Sequence, residues 1–187
     1  MKTLLLMRHA RAADAARGED DFQRMLTKDG RAMAVQTGQI LKSSGIRVDR
    51  LIASAAMRTA ETAALVAKAL GEPAGSEAAG AAVDVILERR LYQASAQTFA
   101  RAAGDYAMDD DSTVLVVGHN PGIGALICHW ASEHLPVSPA TLVGFCFDVD
   151  RWSDIRSSDQ ETPRVLIVIQ DGMLLQADDS LRGPSKG

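Results

Sequence analysis

The stretch that most constrains the fold lies at the start of the chain, where residues 3–7 read Thr-Leu-Leu-Leu-Met and run directly into Arg8 and His9. An apolar run this short, ended by charge, is typical of a strand buried on both faces, as in a parallel sheet. Side chains just beyond such a strand point into the crevice where α/β sheets bind ligands. An arginine fork can bind phosphate or carboxylate, and a histidine can act as a nucleophile. Taken alone, the pair also fits a surface or capping role.

The remainder of the chain alternates between predicted strands and helices. Further strands are predicted at 48–53, 83–87, 112–118, 141–148 and 164–169, and helices at 27–44, 57–70, 95–108 and from Asn120–Pro121 to 133. The N-cap and first-turn residues of the last helix are predicted to be Asn120 and Pro121. This alternation, with two strands together at the end, predicts a three-layer α/β/α sandwich with a mostly parallel, mixed-edge sheet.

The segments between these elements fit one domain. Residues 11–26 are predicted to pass over the sheet edge, 71–82 to form a flexible connection and 150–163 a polar loop. Asp109–Asp111 are interpreted as a solvated turn, and the alternative of a metal site is disfavoured because no ligand partners are spaced near them. We expect a single domain over 1–175 and a flexible tail over 176–187.

Composition narrows the class of function. The net charge of −4 over 187 residues argues against a nucleic-acid partner, so any anion site must be a local cluster of arginines. Cys128 and Cys146 lie in apolar sequence and are interpreted as small buried residues, which suits a reducing cytoplasm. The apolar start is cut short by Arg8, and no stretch approaches the ~20 apolar residues of a membrane span. The sequence therefore predicts a cytoplasmic protein without a membrane partner.

Charged side chains follow three of the predicted strands. Arg8 and His9 follow the first, Arg58 follows the second at the start of a helix, and His119 follows the strand at 112–118. If they converge at one sheet edge, two arginine forks can neutralise a tetrahedral dianion while an imidazole attacks phosphorus. Each residue also has an ordinary interpretation: Arg58 as a solvated helix residue, and His119 as a structural residue of the turn before its helix.

Four motifs, in this order, resemble those of the histidine phosphatase superfamily, the relatives of cofactor-dependent phosphoglycerate mutase. The short spacings and the last two motifs are most similar to SixA-type phosphohistidine phosphatases, and the resemblance covers about residues 3–175. The motifs are Arg8-His9-Ala10, the segment from Ser54 through Arg58 to Thr62, the pair Leu91-Tyr92, and Gly118-His119-Asn120-Pro121-Gly122.

The resemblance implies a phosphoglycerate mutase-like fold and a role for each matched residue. His9 would be the nucleophile that becomes phosphohistidine, Arg8 and Arg58 would bind the phosphoryl oxygens, and His119 would donate to the phosphoryl group in the transition state. No metal and no cofactor is expected. The family usually has glycine after the first histidine, whereas this chain has Ala10, a change that is tolerated if its φ is negative.

Glu88 and Arg24 each allow two interpretations. Glu88 stands near the place of the acid that protonates the leaving oxygen in the mutase branch, but SixA-type members often lack such an acid, and a surface role is the alternative. Arg24 matches an arginine before the Leu-Thr of the first helix. It either contacts phosphate or substrate, or forms a salt bridge with Asp20 or Asp21.

The favoured function is dephosphorylation of phosphohistidine on a protein, such as a His-containing phosphotransfer domain in signalling, with inorganic phosphate as the product. The alternative is a broader phosphomonoesterase acting on phosphorylated small molecules; a mutase would have to exclude water during two transfers, which a short chain does poorly. A third hypothesis is a catalytically idle phosphoprotein-binding module. The presence of both His9 and His119 argues against it.

Overall fold

The computed structural model describes residues 1–15, 17–18, 20–71, 83–155 and 163–178. Within these ranges the strands are β1 (Lys2–Arg8), β2 (Arg50–Ser54), β3 (Val85–Glu88), β4 (Thr113–Gly118), β5 (Leu142–Phe147), β6 (Arg164–Gln170) and β7 (Met173–Ala177). The α-helices are α1 (Lys28–Ser43), α2 (Met57–Gly71), α3 (Ala96–Tyr106) and α4 (Gly122–Ala131). Short 3-10 helices lie at Asp21–Gln23, Arg89–Leu91 and Trp152–Asp154.

The strands form one sheet in the order β3-β2-β4-β1-β5-β6-β7. The first four in this order run parallel, whereas β5 pairs antiparallel with β1, and β6 and β7 continue antiparallel. The predicted mostly parallel sheet with a mixed edge is therefore confirmed. Because β1, β2 and β4 run parallel, their carboxyl ends meet at one edge of the sheet.

Alternate side chains of β1 enter two separate cores. Leu4 and Leu6 pack with residues of α3 and α4 on one face, and Leu5 and Met7 pack with residues of α1 and α2 on the other. All four side chains are fully buried. This explains why the sequence of β1 is continuously apolar rather than alternating. The three-layer architecture is confirmed.

Helix α1 begins and ends where its sequence predicts. The Thr27 hydroxyl accepts a hydrogen bond from the Gly30 amide at 2.9 Å, and Gly45 follows the helix with a φ of +79°. A positive φ is favourable for glycine, which has no Cβ. The Ser95 hydroxyl caps α3 in the same way, accepting from the Thr98 amide at 3.2 Å.

The predicted solvated turn at Asp109–Asp111 is wrong for its last residue. Asp111 is buried, and its carboxylate lies 2.5 Å from Arg50 Nε. The Lys2 ammonium donates to its backbone oxygen at 2.8 Å. Sequence alone did not reveal that β1 and β2 bring these two cations to the same place, where a buried carboxylate is stabilised by its partners.

Two details of the later part of the chain differ from the sequence prediction: the N-cap of α4 and an additional strand. Pro121, not Asn120, occupies the N-cap position of α4, and the Asn120 amide instead donates to the Val137 carbonyl at 3.2 Å. Strand β7 was not predicted, because its exposed apolar residues follow a tight turn and carry no alternation. Residues 72–82, 156–162 and 179–187, which include most of the predicted connection, half of the polar loop and most of the predicted tail, lie outside the described residues.

Two observations concern the cysteines and the prediction of no membrane span. Cys128 and Cys146 are both free thiols, Cys146 buried and Cys128 half-buried. Within the described ranges, no helix combines the length and the apolar character required to cross a lipid bilayer.

Candidate active site

The side chains that follow β1, β2 and β4 meet at the shared edge of the sheet. Arg58 Nε lies 3.3 Å from His9 Nε2, and the ring centroids of His9 and His119 are 5.2 Å apart. Arg8 is the last residue of β1 and precedes His9 directly. The structure thus brings together the four residues singled out in the sequence as a phosphate-binding and nucleophilic set.

The hydrogen bonds of His9 define which ring nitrogen is free to react. Nδ1 lies 2.7 Å from the Ala10 carbonyl oxygen, which can only accept, so Nδ1 carries the proton and donates. Nε2 then carries the lone pair, and Arg58 Nε donates toward it. His9 is therefore held in the tautomer in which Nε2 is the nucleophilic atom.

The charge state of His9 also favours nucleophilic attack. Burial, together with the nearby charges of Arg58 and Arg8, lowers its pKa to about 4, against the hydrogen bond to Ala10, which raises it. At neutral pH the ring is neutral and Nε2 is unprotonated. A free histidine, with a pKa near 6.5, would lose its nucleophilic form over the acidic half of the physiological range.

His119 is buried, with 3% of its surface exposed, and burial lowers its pKa to about 3, with the charges of His9 and Arg58 acting in the same direction. Its Nε2 lies 2.9 Å from Ser54 Oγ. Ser54 Oγ also accepts from the Ala56 amide at 3.4 Å, and its own proton can be donated to Nε2. In that arrangement the ring proton of His119 is on Nδ1.

Two buried side-chain nitrogens have no hydrogen-bond partner among the described residues. They are Nε of Arg8 and Nδ1 of His119, which is a donor in the tautomer just described. The other end of the Arg8 guanidinium donates to the Val137 carbonyl at 2.8 Å, and burial lowers the pKa of Arg8. Unpaired buried polar atoms are rare and call for an explanation. Both atoms are suited to donate to the oxygens of an anion.

A single hydroxyl joins the segment after His9 to the helix that carries Arg58. Thr62 Oγ1 accepts from the Ala10 amide at 3.1 Å and donates to the Arg58 carbonyl at 2.7 Å. Ala10 itself is fully buried. It is not among the non-glycine residues with positive φ, which in the described ranges are Gln93, Ser132, Ala140 and Asp171. The condition stated for an alanine at this position, a φ outside the positive region, is therefore met.

Asp21 forms the outer wall of the site. Its carboxylate accepts from Arg24 Nη1 at 2.8 Å, Arg58 Nη2 at 2.9 Å and the Tyr92 hydroxyl at 2.7 Å. These hydrogen bonds, that of Tyr92 first, hold the pKa of Asp21 well below its usual range. Of the two interpretations of Arg24, the structure contains the salt bridge to Asp21.

Glu88 makes its contacts away from the histidines. Its carboxylate accepts from the Arg90 amide at 2.7 Å and from the Tyr106 hydroxyl, and Arg90 Nε lies 3.5 Å away. These bonds cap the 3-10 helix Arg89–Leu91 and join it to α3. The part of the chain that the structure describes has no group of three or more His, Cys, Asp or Glu side chains placed to hold a metal ion.

Sequence reasoning did not assign roles to Ser54, Asp21 or Tyr92. Ser54 and Tyr92 lie within the quoted motifs, and the Tyr92 ring packs edge-on against His119 with centroids 5.6 Å apart. Asp21 entered only as one of two alternative partners for Arg24. No pattern in the sequence indicated that its carboxylate would reach Arg58, because the two residues are 37 positions apart in the chain.

The lowered histidine pKa values predict a loss of stability in acid. Unfolded histidines take up protons as the pH falls below about 6.5, whereas the folded His119 stays neutral to about 3. Between pH 7.5 and 5.0 this ring should reduce the free energy of unfolding by about 2 kcal/mol. Urea denaturation at both pH values should show a smaller pH-dependent loss in His119→Gln than in wild type. Equal losses would contradict the buried neutral ring.

Comparison with known proteins agrees with this geometry. Residues 4–79 match the family model of the histidine phosphatase superfamily (branch 1). A segment of 65 residues is 42% identical to the mitochondrial serine/threonine-protein phosphatase Pgam5 of Drosophila ananassae. That segment is 35% of this chain and spans only 22% of the relative's length.

Solved structures match over much more of the chain. A structure from Agrobacterium tumefaciens described as the phosphohistidine phosphatase SixA has a TM-score of 0.70 and 22% identity, covering 90% of this chain and 97% of its own. The protein histidine phosphatase SixA complexed with tungstate has a TM-score of 0.63 and 21% identity, covering 78% of this chain and 88% of its own. At these identities the likeness establishes the fold.

The resemblance to the histidine phosphatase superfamily that the sequence predicts is confirmed by the family-model match over residues 4–79, and the fold agrees with it. Within it, the SixA phosphohistidine phosphatases are structural neighbours over nearly the whole chain.

Proposed function

We propose that this chain is a phosphatase that forms a phosphohistidine intermediate on His9 and acts on phosphohistidine in a protein. The observation that carries the proposal is the state of His9: a neutral ring whose Nδ1 proton is bound by the Ala10 carbonyl and whose Nε2 lone pair faces Arg58 at 3.3 Å. A fixed, unprotonated nitrogen beside a guanidinium is suited to attack a phosphoryl group.

The proposed reaction has two transfers. In the first, His9 Nε2 forms a bond to phosphorus, and the bond from phosphorus to the leaving nitrogen breaks, its electron pair staying on that nitrogen. In the second, water attacks the phosphorus, the P–Nε2 bond breaks, and inorganic phosphate leaves with His9 restored. A protonated phosphoimidazole leaves as a neutral ring, so the first step needs no dedicated acid.

The remaining site residues are suited to bind the phosphoryl oxygens. Arg58 and Arg8 supply positive charge, and Arg8 Nε and His119 Nδ1 are buried donors with no partner in the described ranges. Donors aimed at developing negative charge usually provide the largest share of catalysis. A SixA structural neighbour is complexed with tungstate, a tetrahedral oxyanion like phosphate, which supports the proposal that a protein of this fold binds such an anion.

A phosphorylated protein, such as a His-containing phosphotransfer domain in cytoplasmic signalling, is the proposed partner. The second candidate is a phosphomonoesterase of broader range, which the Pgam5 similarity keeps open because that relative is named a serine/threonine-protein phosphatase. The idle binding module is disfavoured because both histidines are present and Nε2 of His9 is unprotonated.

The test is a comparison of substrates in buffer containing EDTA. A phosphohistidine protein and a set of phosphomonoesters are assayed side by side with the purified chain. We expect hydrolysis of the phosphohistidine protein at a kcat/KM well above that of the esters and unchanged by the chelator, because the arginines supply the positive charge. A preference for esters, or activity restored only by Mg²⁺, would contradict the proposal.

Glu88 separates the two candidate functions. A proton donor to an alkoxide leaving group contributes about 10²–10⁴-fold, whereas a phosphohistidine needs none. Since Glu88 bonds the Arg90 amide and the Tyr106 hydroxyl, Glu88→Gln should retain most of the activity on a phosphohistidine protein. Kinetics of both proteins on both substrates at one pH provide the check. A deep loss confined to alkyl phosphates would identify Glu88 as the acid of an esterase.

A further inference from the structure

The Asp21 carboxylate is connected to the proposed nucleophile, His9, through the side chain of Arg58. It accepts a hydrogen bond from Arg58 Nη2 at 2.9 Å, and the same guanidinium donates from Nε to His9 Nε2 at 3.3 Å. Arg58 Nη1 also donates to the Asp21 backbone oxygen at 2.5 Å. Every nitrogen of the guanidinium is thus engaged either by His9 or by Asp21.

Asp21 lies on the solvent side of Arg58. The side chain of Arg58 is 6% exposed and that of Asp21 is 38% exposed. A phosphoryl group bonded to His9 would lie against Arg58, so the rest of the substrate, which extends to solvent, would pass the Asp21 carboxylate. The Tyr92 hydroxyl donates to the same carboxylate at 2.7 Å, and the Tyr92 ring packs edge-on against His119. Tyr92 therefore contacts both Asp21 and the second histidine.

The charge at this position is fixed. Hydrogen bonds from Tyr92, Arg24 and Arg58 hold the pKa of Asp21 well below its usual range, so the group stays ionised throughout the physiological range. An ionised carboxylate cannot protonate a leaving group. It can attract a cation and repel an anion, and at partial exposure that discrimination persists though it is weakened by solvent.

We propose that Asp21 determines substrate specificity, favouring phosphoryl groups carried by a cationic leaving group over those of phosphomonoesters. The inference rests on the proposed function, and it names the feature of phosphohistidine that the site recognises. A phosphorylated imidazole keeps a second ring nitrogen that takes up a proton, and the resulting cation is attracted to Asp21. Asp21 repels the anionic phosphoryl group of either substrate and competes with it for Arg58, but an ester has no cationic leaving group whose attraction to Asp21 offsets this repulsion.

The experiment uses Asp21→Asn, with Asp20→Asn as the matched control. Asp20 is the neighbouring carboxylate, and its role as the cap of the Phe22 amide can be kept by asparagine. The kcat/KM values for phosphoimidazole and p-nitrophenyl phosphate are measured for each protein. We expect the ratio of the two to fall about tenfold or more in Asp21→Asn and to stay unchanged in Asp20→Asn, with Asp21→Glu restoring most of it.

A purely positional role for Asp21 would give a different result. If Asp21 only held Arg58 in place, both substrates would lose rate equally and inorganic phosphate would inhibit Asp21→Asn more weakly. We expect stronger inhibition by phosphate, with Ki lowered several-fold, because a competing anion has been removed from Arg58. A wild-type protein that does not hydrolyse phosphoimidazole would overturn the proposed function. An active wild type whose substrate ratio is unaffected by Asp21→Asn would overturn this inference alone.

Discussion

The variant His9→Ala is expected to lose turnover by about 10⁴-fold or more, as when the nucleophile of another covalent enzyme is removed. No second unprotonated side chain among the described residues shares its contacts with Arg58 and Ala10. The rate should be measured on a phosphohistidine protein and on p-nitrophenyl phosphate. Rapid quenching of wild type with radiolabelled substrate should trap protein-bound phosphate that survives alkali and is lost in acid.

The matched control is His129→Ala, which removes an exposed histidine on α4 and should retain wild-type activity and trapping. Trapped phosphate in wild type and in the control, but not in His9→Ala, would assign the intermediate to this ring. An active His9→Ala protein, or label that persists in it, would refute the covalent mechanism.

The second large effect is expected for Arg58→Ala. Arg58 is 5% exposed, and truncating a buried charged partner costs about 2–5 kcal/mol, which corresponds to a loss of about 30-fold to several thousand-fold in kcat/KM. The variant should also lose anion binding. Wild type should be stabilised by about 2.7 kcal/mol in phosphate at a hundred times its Kd, and Arg58→Ala much less.

Arg47→Ala serves as the control, because the Arg47 side chain is 92% exposed and lies 3.7 Å from Asp49 rather than at the site. Its thermal shift in phosphate should equal that of wild type. Arg58→Lys should recover part of the binding but little of the rate, because a lysine cannot keep both the contact to His9 and the contact to Asp21. Equal phosphate shifts in wild type and Arg58→Ala would remove Arg58 from the site.

The parts of this molecule that could be predicted from sequence are those set by local pattern. The apolar run of β1, the cap Thr27 and the terminator Gly45 each follow from a few consecutive residues, and the structure has them as predicted. The meeting of His9, Arg58 and His119 was also predictable, because parallel strands end at one edge of a sheet.

The parts that could not be predicted depend on contacts between distant segments. Asp111 is buried only because Arg50 and Lys2 arrive from other strands, and Glu88 is held by Tyr106 of α3. The hydroxyl of Ser54 positions His119 across 65 residues of sequence. Periodicity and capping rules describe neighbours along the chain, and they carry no information about such pairs.

The 3-10 helix Asp21–Gln23 contains no buried residue, whereas β1 lies at the centre of the sheet between β4 and β5. The proposed nucleophile therefore follows a central strand of the fold, whereas the proposed specificity residue Asp21 lies in a segment that contributes little to the core. Substitutions near the end of β1 disturb two cores at once, whereas substitutions in the 3-10 helix Asp21–Gln23, which contains no buried residue, remove little packing. New substrate preferences could thus arise by evolution of this surface segment alone, with the reaction centre left intact.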